Sequence, residues 1–151
     1  MIDAAGLPDR STGWLGDRLA EAAGVLGCSG ELRVRLVRDA EMAAAHARYS
    51  GVEGTTDVLT FDLTEGGSAR GEPVDADALV CVDEAARGAA EAGHGLDREL
   101  LLYALHALLH CLGHDDVTEE GFERMHAEED RILERIGVGR TFAPRGDGGA
   151  A

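Results

Sequence analysis

The stretch HALLHCLGHDD, residues 106–116, sets two histidines four apart in an apolar run, then adds a glycine, a third histidine and two aspartates. Residues four apart on an α-helix are neighbours on one face. His106 and His110 can therefore direct ring nitrogens to one point at about 2.0–2.1 Å, as zinc requires. Gly113 can take the left-handed conformation that ends a helix, after which the chain folds back and a later residue reaches the same metal. The spacing makes Asp116 that residue, with His114 the competing candidate. The alternative is a core helix built on Leu105, Leu108, Leu109 and Leu112 whose histidines are incidental. Two histidines at this spacing, a helix-ending glycine and a third ligand type together favour the metal.

Working outward, RELLLYALHALLHCL (98–112) extends this helix toward its N-terminus, with Asp97 available as its cap. Before it, EAARGAAEAGHG (84–95) is helical until Gly93, and DALVCVD (77–83) is an apolar strand. TDVLTFDL (56–63) is another strand, and TEGGSARGEPVDA (64–76), rich in glycine, is an exposed loop between the two. ELRVRLV (31–37) alternates and reads as a half-buried strand. Asp39 can cap the helix AEMAAAHARY (40–49), which Gly51 ends. Leu15, Leu19, Ala22 and Leu26 share one face of a first helix over 12–26. Beyond the motif, Thr118 starts a last helix in which Phe122, Met125, Ile132 and Ile136 form a core stripe with Glu129 among them. These elements predict an α+β fold, a small mixed β-sheet packed with helices, with the metal-binding helix in the C-terminal half. Residues 1–137 make one domain, and 138–151 a flexible C-terminal tail.

The chain has 151 residues, 44% of them hydrophobic, enough for one domain with its own core. Cys28, Cys81 and Cys111 are scattered and form no CxxC pair, which argues for a reducing, cytoplasmic setting. No secretory leader and no apolar run of roughly 18 residues is present, so a soluble, non-exported protein is expected. A formal net charge of −15 repels nucleic acid at long range, so any polyanion must be held locally. All 14 basic residues are arginine.

Zinc peptidases carry H-E-x-x-H-x-x-G-x-x-H or -D, in which the glutamate is the general base. The equivalent position is Ala107, which disfavours peptide hydrolysis. HALLHCLGHDD instead resembles the signature H-G-x-L-H-L-x-G-[YH]-D-H of the YbeY family, endoribonucleases that mature ribosomal RNA of the small subunit. TTDVLTF (55–61), DEAARGAA (83–90) and MHAEEDRILERIG (125–137) extend the similarity over about residues 31–137.

The resemblance implies a zincin-like metal-dependent hydrolase domain with one zinc per chain, held by His106, His110 and Asp116, or by His114 as third ligand. It implies a single-strand endoribonuclease acting in 16S 3′-end maturation and ribosome quality control. Its partners would be single-stranded RNA and the small ribosomal subunit or its proteins, not DNA or a membrane. The alternative is a non-catalytic, zinc-stabilised assembly factor, with a peptidase last.

The chain departs from the family pattern at three positions. Asp116 stands where the family has histidine, and Ala107 where it has glycine. Ser50 replaces an arginine, leaving Arg48 as the nearest candidate catalytic cation. Two helical residues are about 200° apart, so Arg48 can substitute only if the backbone there is irregular. Arg33 and Arg35 form either a phosphate-binding stripe or a solvated face. Glu129 is a candidate to orient a ligand histidine. Asp57 is expected to organise the turn into its strand, His46 and His126 to lie on the surface, and His94 in a loop.

Overall fold

The computed structural model describes residues 2–3, 6–64 and 73–139. In chain order the elements are β1 (Ile2–Asp3), α1 (Asp9–Leu26), β2 (Gly30–Val37), α2 (Asp39–Ser50), β3 (Val58–Asp62), β4 (Val74–Cys81), α3 (Val82–Ala92), α4 (Leu96–Cys111) and α5 (Glu119–Arg135). The sheet order is β1-β2-β4-β3. β1, β2 and β4 run parallel, and β3 pairs antiparallel with β4 at one edge. The fold is α+β with a small mixed sheet, as the sequence predicts.

Alternation along β2 sends Val34 and Leu36 into the main core with Val80, Leu101 and Leu105, while Val37 packs with Met42 and Cys81 in a separate cluster. The sheet is therefore covered on one face by α2 and on the other by α1 and α4. Helix α4 touches α1, α3, α5, β3 and β4. Ten of its residues are buried, from Glu99 to Cys111, so it is apolar nearly all round, as an internal helix must be.

Several boundaries differ from those expected. Val74–Ala76 belong to β4, because pairing with Gly30–Leu32 of β2 satisfies their backbone in spite of the glycine-rich approach. Residues 65–72 of the expected loop lie outside the described residues. Asp39 and Asp97 are not caps. The N-cap positions are Arg38 and Gly95, and the aspartates sit inside the first turn, where the helix dipole favours negative charge. Thr118 does cap α5, its hydroxyl accepting from the Gly121 amide at 2.9 Å. Val138 packs on the core, and the carbonyls of Val138 and Gly139 accept from Arg98. The rest of the expected tail, 140–151, lies outside the described residues.

Candidate metal centre

One stripe of α4 breaks its apolar surface: Glu99, Tyr103, His106 and His110 follow one another at helical spacing. The helix ends where expected. Gly113 has φ +99°, and the His114 amide donates back to the Leu109 carbonyl at 3.0 Å, closing a left-handed turn. The returning loop is then pinned to α5. Asp115 accepts from the Val117 amide at 2.9 Å, and a Cβ on Gly121 would stand 2.2 Å from the Asp115 carbonyl oxygen, so only glycine lets loop and helix meet.

This turn carries Asp116 to the histidines. Its carboxylate oxygens lie 3.4 Å from His106 Nε2 and 3.8 Å from His110 Nε2. Donor atoms of His106, His110 and Asp116 all lie within 4.8 Å of one another. His114 is outside this group. Glu129, fully buried on α5, accepts from His106 Nδ1 at 2.7 Å and from His126 Nδ1 at 2.8 Å. A carboxylate can only accept, so the His106 proton sits on Nδ1 and the Nε2 lone pair faces His110 and Asp116. Burial disfavours the charged His106 ring, but the Glu129 hydrogen bond and the charges of Glu129, Asp116 and Asp57 outweigh it and raise its pKa. Two imidazoles and a carboxylate, one ring already oriented by a buried acid, form a donor set that fits a zinc-type divalent ion with a position left for water or substrate. Cys111 lies next to His110, but it is buried, which pushes its thiol up to about 11, and its sulfur is not among the clustered donor atoms.

The cluster stands between two clefts. The larger, about 610 Å³, runs over His94, Tyr103, Phe122 and His126; the smaller, about 430 Å³, follows edge strand β3 past Thr60 and Asp62. Both are lined by Asp57, Val58, His106 and Asp116.

The remaining candidates distribute as follows. Arg48 lies on the exposed side of α2 with its guanidinium 5.3 Å from the Tyr49 ring centroid, and it lines neither cleft. Helix α2 is regular through Ser50, so the irregularity that would let Arg48 stand in for residue 50 is absent. Arg33 is engaged by Glu31, Asp75 and Asp77 at 2.6–2.7 Å, and Arg35 by Glu41, so this stripe is neutralised by its own neighbours. Asp57 accepts from the Val58 amide at 2.7 Å, organising the strand entry as expected, and also faces the cluster. His46 bonds the Gly54 carbonyl at 2.9 Å. His94 lies in the loop between α3 and α4, as expected, and His126, expected on the surface, is largely buried; both line the larger cleft, each bonded to a buried glutamate: His126 to Glu129 and His94 to Glu99, the latter at 2.5 Å. Their partners lie three and five residues away; the apolar stripe of α5 places Glu129 toward the core, whereas nothing in local spacing marks Glu99 as buried.

Fold and site define a class: a small α+β protein with a His-His-Asp cluster that could hold a metal ion, at the junction of two clefts. Residues 12–137 match the family model for endoribonuclease YbeY. The endoribonuclease YbeY of Moorella thermoacetica is 38% identical over 128 residues, covering 80% of this chain and 81% of that protein. That of Desulforamulus reducens is 37% identical over 114 residues, covering 73% and 74%. The solution structure of TM1509 from Thermotoga maritima shares the fold, with TM-score 0.59 and 24% identity over 89% of this chain and 91% of that one. The chain belongs to the endoribonuclease YbeY family.

Proposed function

We propose that this protein is a zinc-dependent endoribonuclease that cuts single-stranded RNA, acting in 16S 3′-end maturation and ribosome quality control in the cytoplasm beside the small ribosomal subunit. The observation that carries the reading is the cluster of His106, His110 and Asp116, with His106 oriented by buried Glu129, opening on both clefts. Relatives named as endoribonucleases, 36–38% identical over about three quarters of the chain, support the reaction class. One zinc per chain would be held by these three residues. When bound, it supplies Lewis acidity that polarises a phosphoryl oxygen and activates water for attack. Glu129 holds the proton on His106 Nδ1 and fixes the ring, Asp116 adds a negative oxygen donor, and the cluster opens on a cleft at either side. Ala107, buried, supplies no carboxylate where zinc peptidases need one, which supports a nuclease over a peptidase.

A second reading, a zinc-stabilised assembly factor without catalysis, is favoured by one observation: among the described residues no arginine lines either cleft. Metal analysis with a single-stranded RNA cleavage assay, with and without chelator, separates the two. The expected result is one zinc per chain, cleavage lost on chelation and restored by zinc, and no chelator-sensitive cutting of casein. Stoichiometric zinc without cleavage would favour the assembly factor. Asp116→Ala should weaken zinc binding at least tenfold, about 1.4 kcal/mol, and His114→Ala should not. The reverse would make His114 the third ligand.

A further inference from the structure

Phe122 belongs by spacing to the core stripe of α5, yet it is 48% exposed while Met125 and Ile132 are fully buried. Its ring forms part of the wall of the larger cleft with His106, Asp116 and His126. Phe122 and His126, one turn apart, meet edge to face with centroids 4.1 Å apart and planes at 84°. His126 is itself held by Glu129 Oε1, while Oε2 of the same carboxylate holds His106. One buried acid therefore anchors both a ligand of the metal cluster and the ring on which Phe122 packs. The half-exposed phenyl surface is set at a defined place beside the cluster, which lowers the ordering cost of binding.

The chemistry of the wall selects what can lie there. The cleft is lined by the carboxyl groups of Asp57, Glu91, Glu99, Asp116 and Glu129, which repel phosphate. Its volume of about 610 Å³ suits a small ligand or one monomer of a polymer. A flat, uncharged aromatic group can bury the exposed phenyl face without facing that repulsion. In a single-stranded RNA this group is an unpaired base, and stacking of bases on Phe or His side chains is how proteins hold such strands. We propose that Phe122, held in place by His126, is a stacking platform for one unpaired nucleobase next to the phosphodiester presented to the metal cluster. The proposal rests on the endoribonuclease reading and adds where the substrate is gripped.

The test measures anisotropy of labelled single-stranded RNA and steady-state cleavage for the zinc-loaded parent, Phe122→Ala and Phe122→Trp. The substrates are intact RNA and RNAs carrying one abasic nucleotide at successive positions around the cut. Phe122→Ala is expected to weaken binding and raise KM about tenfold, within the range for loss of one base–aromatic stack, with kcat and zinc content within twofold of the parent. Phe122→Trp should restore binding. At one position the abasic RNA should bind the parent as weakly as intact RNA binds Phe122→Ala, which itself should lose nothing further. A parent that cuts RNA while Phe122→Ala binds and cuts it equally well overturns the platform alone. So does a Phe122→Ala protein that has lost its zinc, since that marks a structural role. A parent that neither binds nor cuts RNA overturns the endoribonuclease reading and the platform together.

Discussion

Glu129 is fully buried and accepts from two histidines, and the energetics of the site turn on it. Removing its charge while keeping its shape, as in Glu129→Gln, leaves a weaker acceptor for His106 Nδ1 and a less basic Nε2. Zinc affinity at pH 8, measured by competition with a chromophoric chelator, should fall about 10–100-fold, the usual cost of losing such a supporting carboxylate. An unchanged affinity would remove Glu129 from the site. The raised His106 pKa has a definite sign in the metal-free protein. A group whose pKa is raised on folding stabilises the fold below its unfolded value, and this contribution is lost as pH rises through the folded value. Protons compete with metal for the same ring, so zinc affinity should decline with acidification from a pH above the ordinary histidine value, and Glu129→Gln should move that decline to lower pH. The spacing of His106, His110, Gly113 and Asp116 is legible from the chain alone, since one helix and one turn set it. Glu129 is legible only as a polar residue in an apolar stripe. His126 and Phe122 are not legible, because their environment is made by α4 and the 113–118 loop.

Helix α2 starts without a side-chain cap, and its N-terminus is held by charges from α3 instead. The Asp39 amide donates to Asp83 at 2.9 Å, Arg38 pairs with Asp83 at 3.0 Å, and Arg87 donates to both Asp39 oxygens at 2.7 and 3.0 Å. The Arg87 hydrogen bonds hold the Asp39 carboxyl below the usual carboxylate range, against a smaller opposing effect of desolvation. For a carboxyl lowered on folding, the stabilisation is present above the unfolded pKa and lost as pH falls through the folded one. Asp39→Asn should therefore lower the urea midpoint at pH 7, and the difference from the parent should close well below the ordinary aspartate value of about 3.9. A gap that persists in acid would trace the loss to something other than the ion pair. The helix itself is readable from its alanines and Gly51. Its anchorage is not, because Asp39 and Arg87 are 48 residues apart and meet only when α2 and α3 lie side by side.

The molecule as a whole is expected to keep its fold without a bound metal. The main core draws on α1, β2, β4, α4 and α5, with Leu15, Leu101, Leu105, Met125 and Ile132 almost wholly buried, and none of His106, His110 and Asp116 belongs to it. Small zinc domains unfold without metal because they have no such core. Here zinc at about 100 times its Kd should raise the unfolding free energy by about 2.7 kcal/mol, or Tm by about 5–11 °C for a chain of this size. Chelated protein should still unfold cooperatively with native far-UV circular dichroism at room temperature. Loss of the cooperative transition on chelation would make the site a structural one.

What the chain alone carries here is local and periodic: the apolar helix 98–112, the alternation of 31–37, the Thr118 cap and the ligand spacing of 106–116, each set by contacts within a few residues. The β1 pairing, the burial of Glu129 and Glu99, the capture of Arg33 by three acids and the exposure of Phe122 at the cleft required the assembled structure. Each depends on residues brought together from distant parts of the chain, such as Arg33 with Asp77, 44 residues on, or His106 with Glu129, 23 on. A side chain's burial and charge environment are set by what packs against it, and here the packing partners lie on other elements. The ligand motif could be read along one helix and one turn, whereas the clefts and the carboxylate that orients its first histidine exist only once α4, α5 and the edge strand meet.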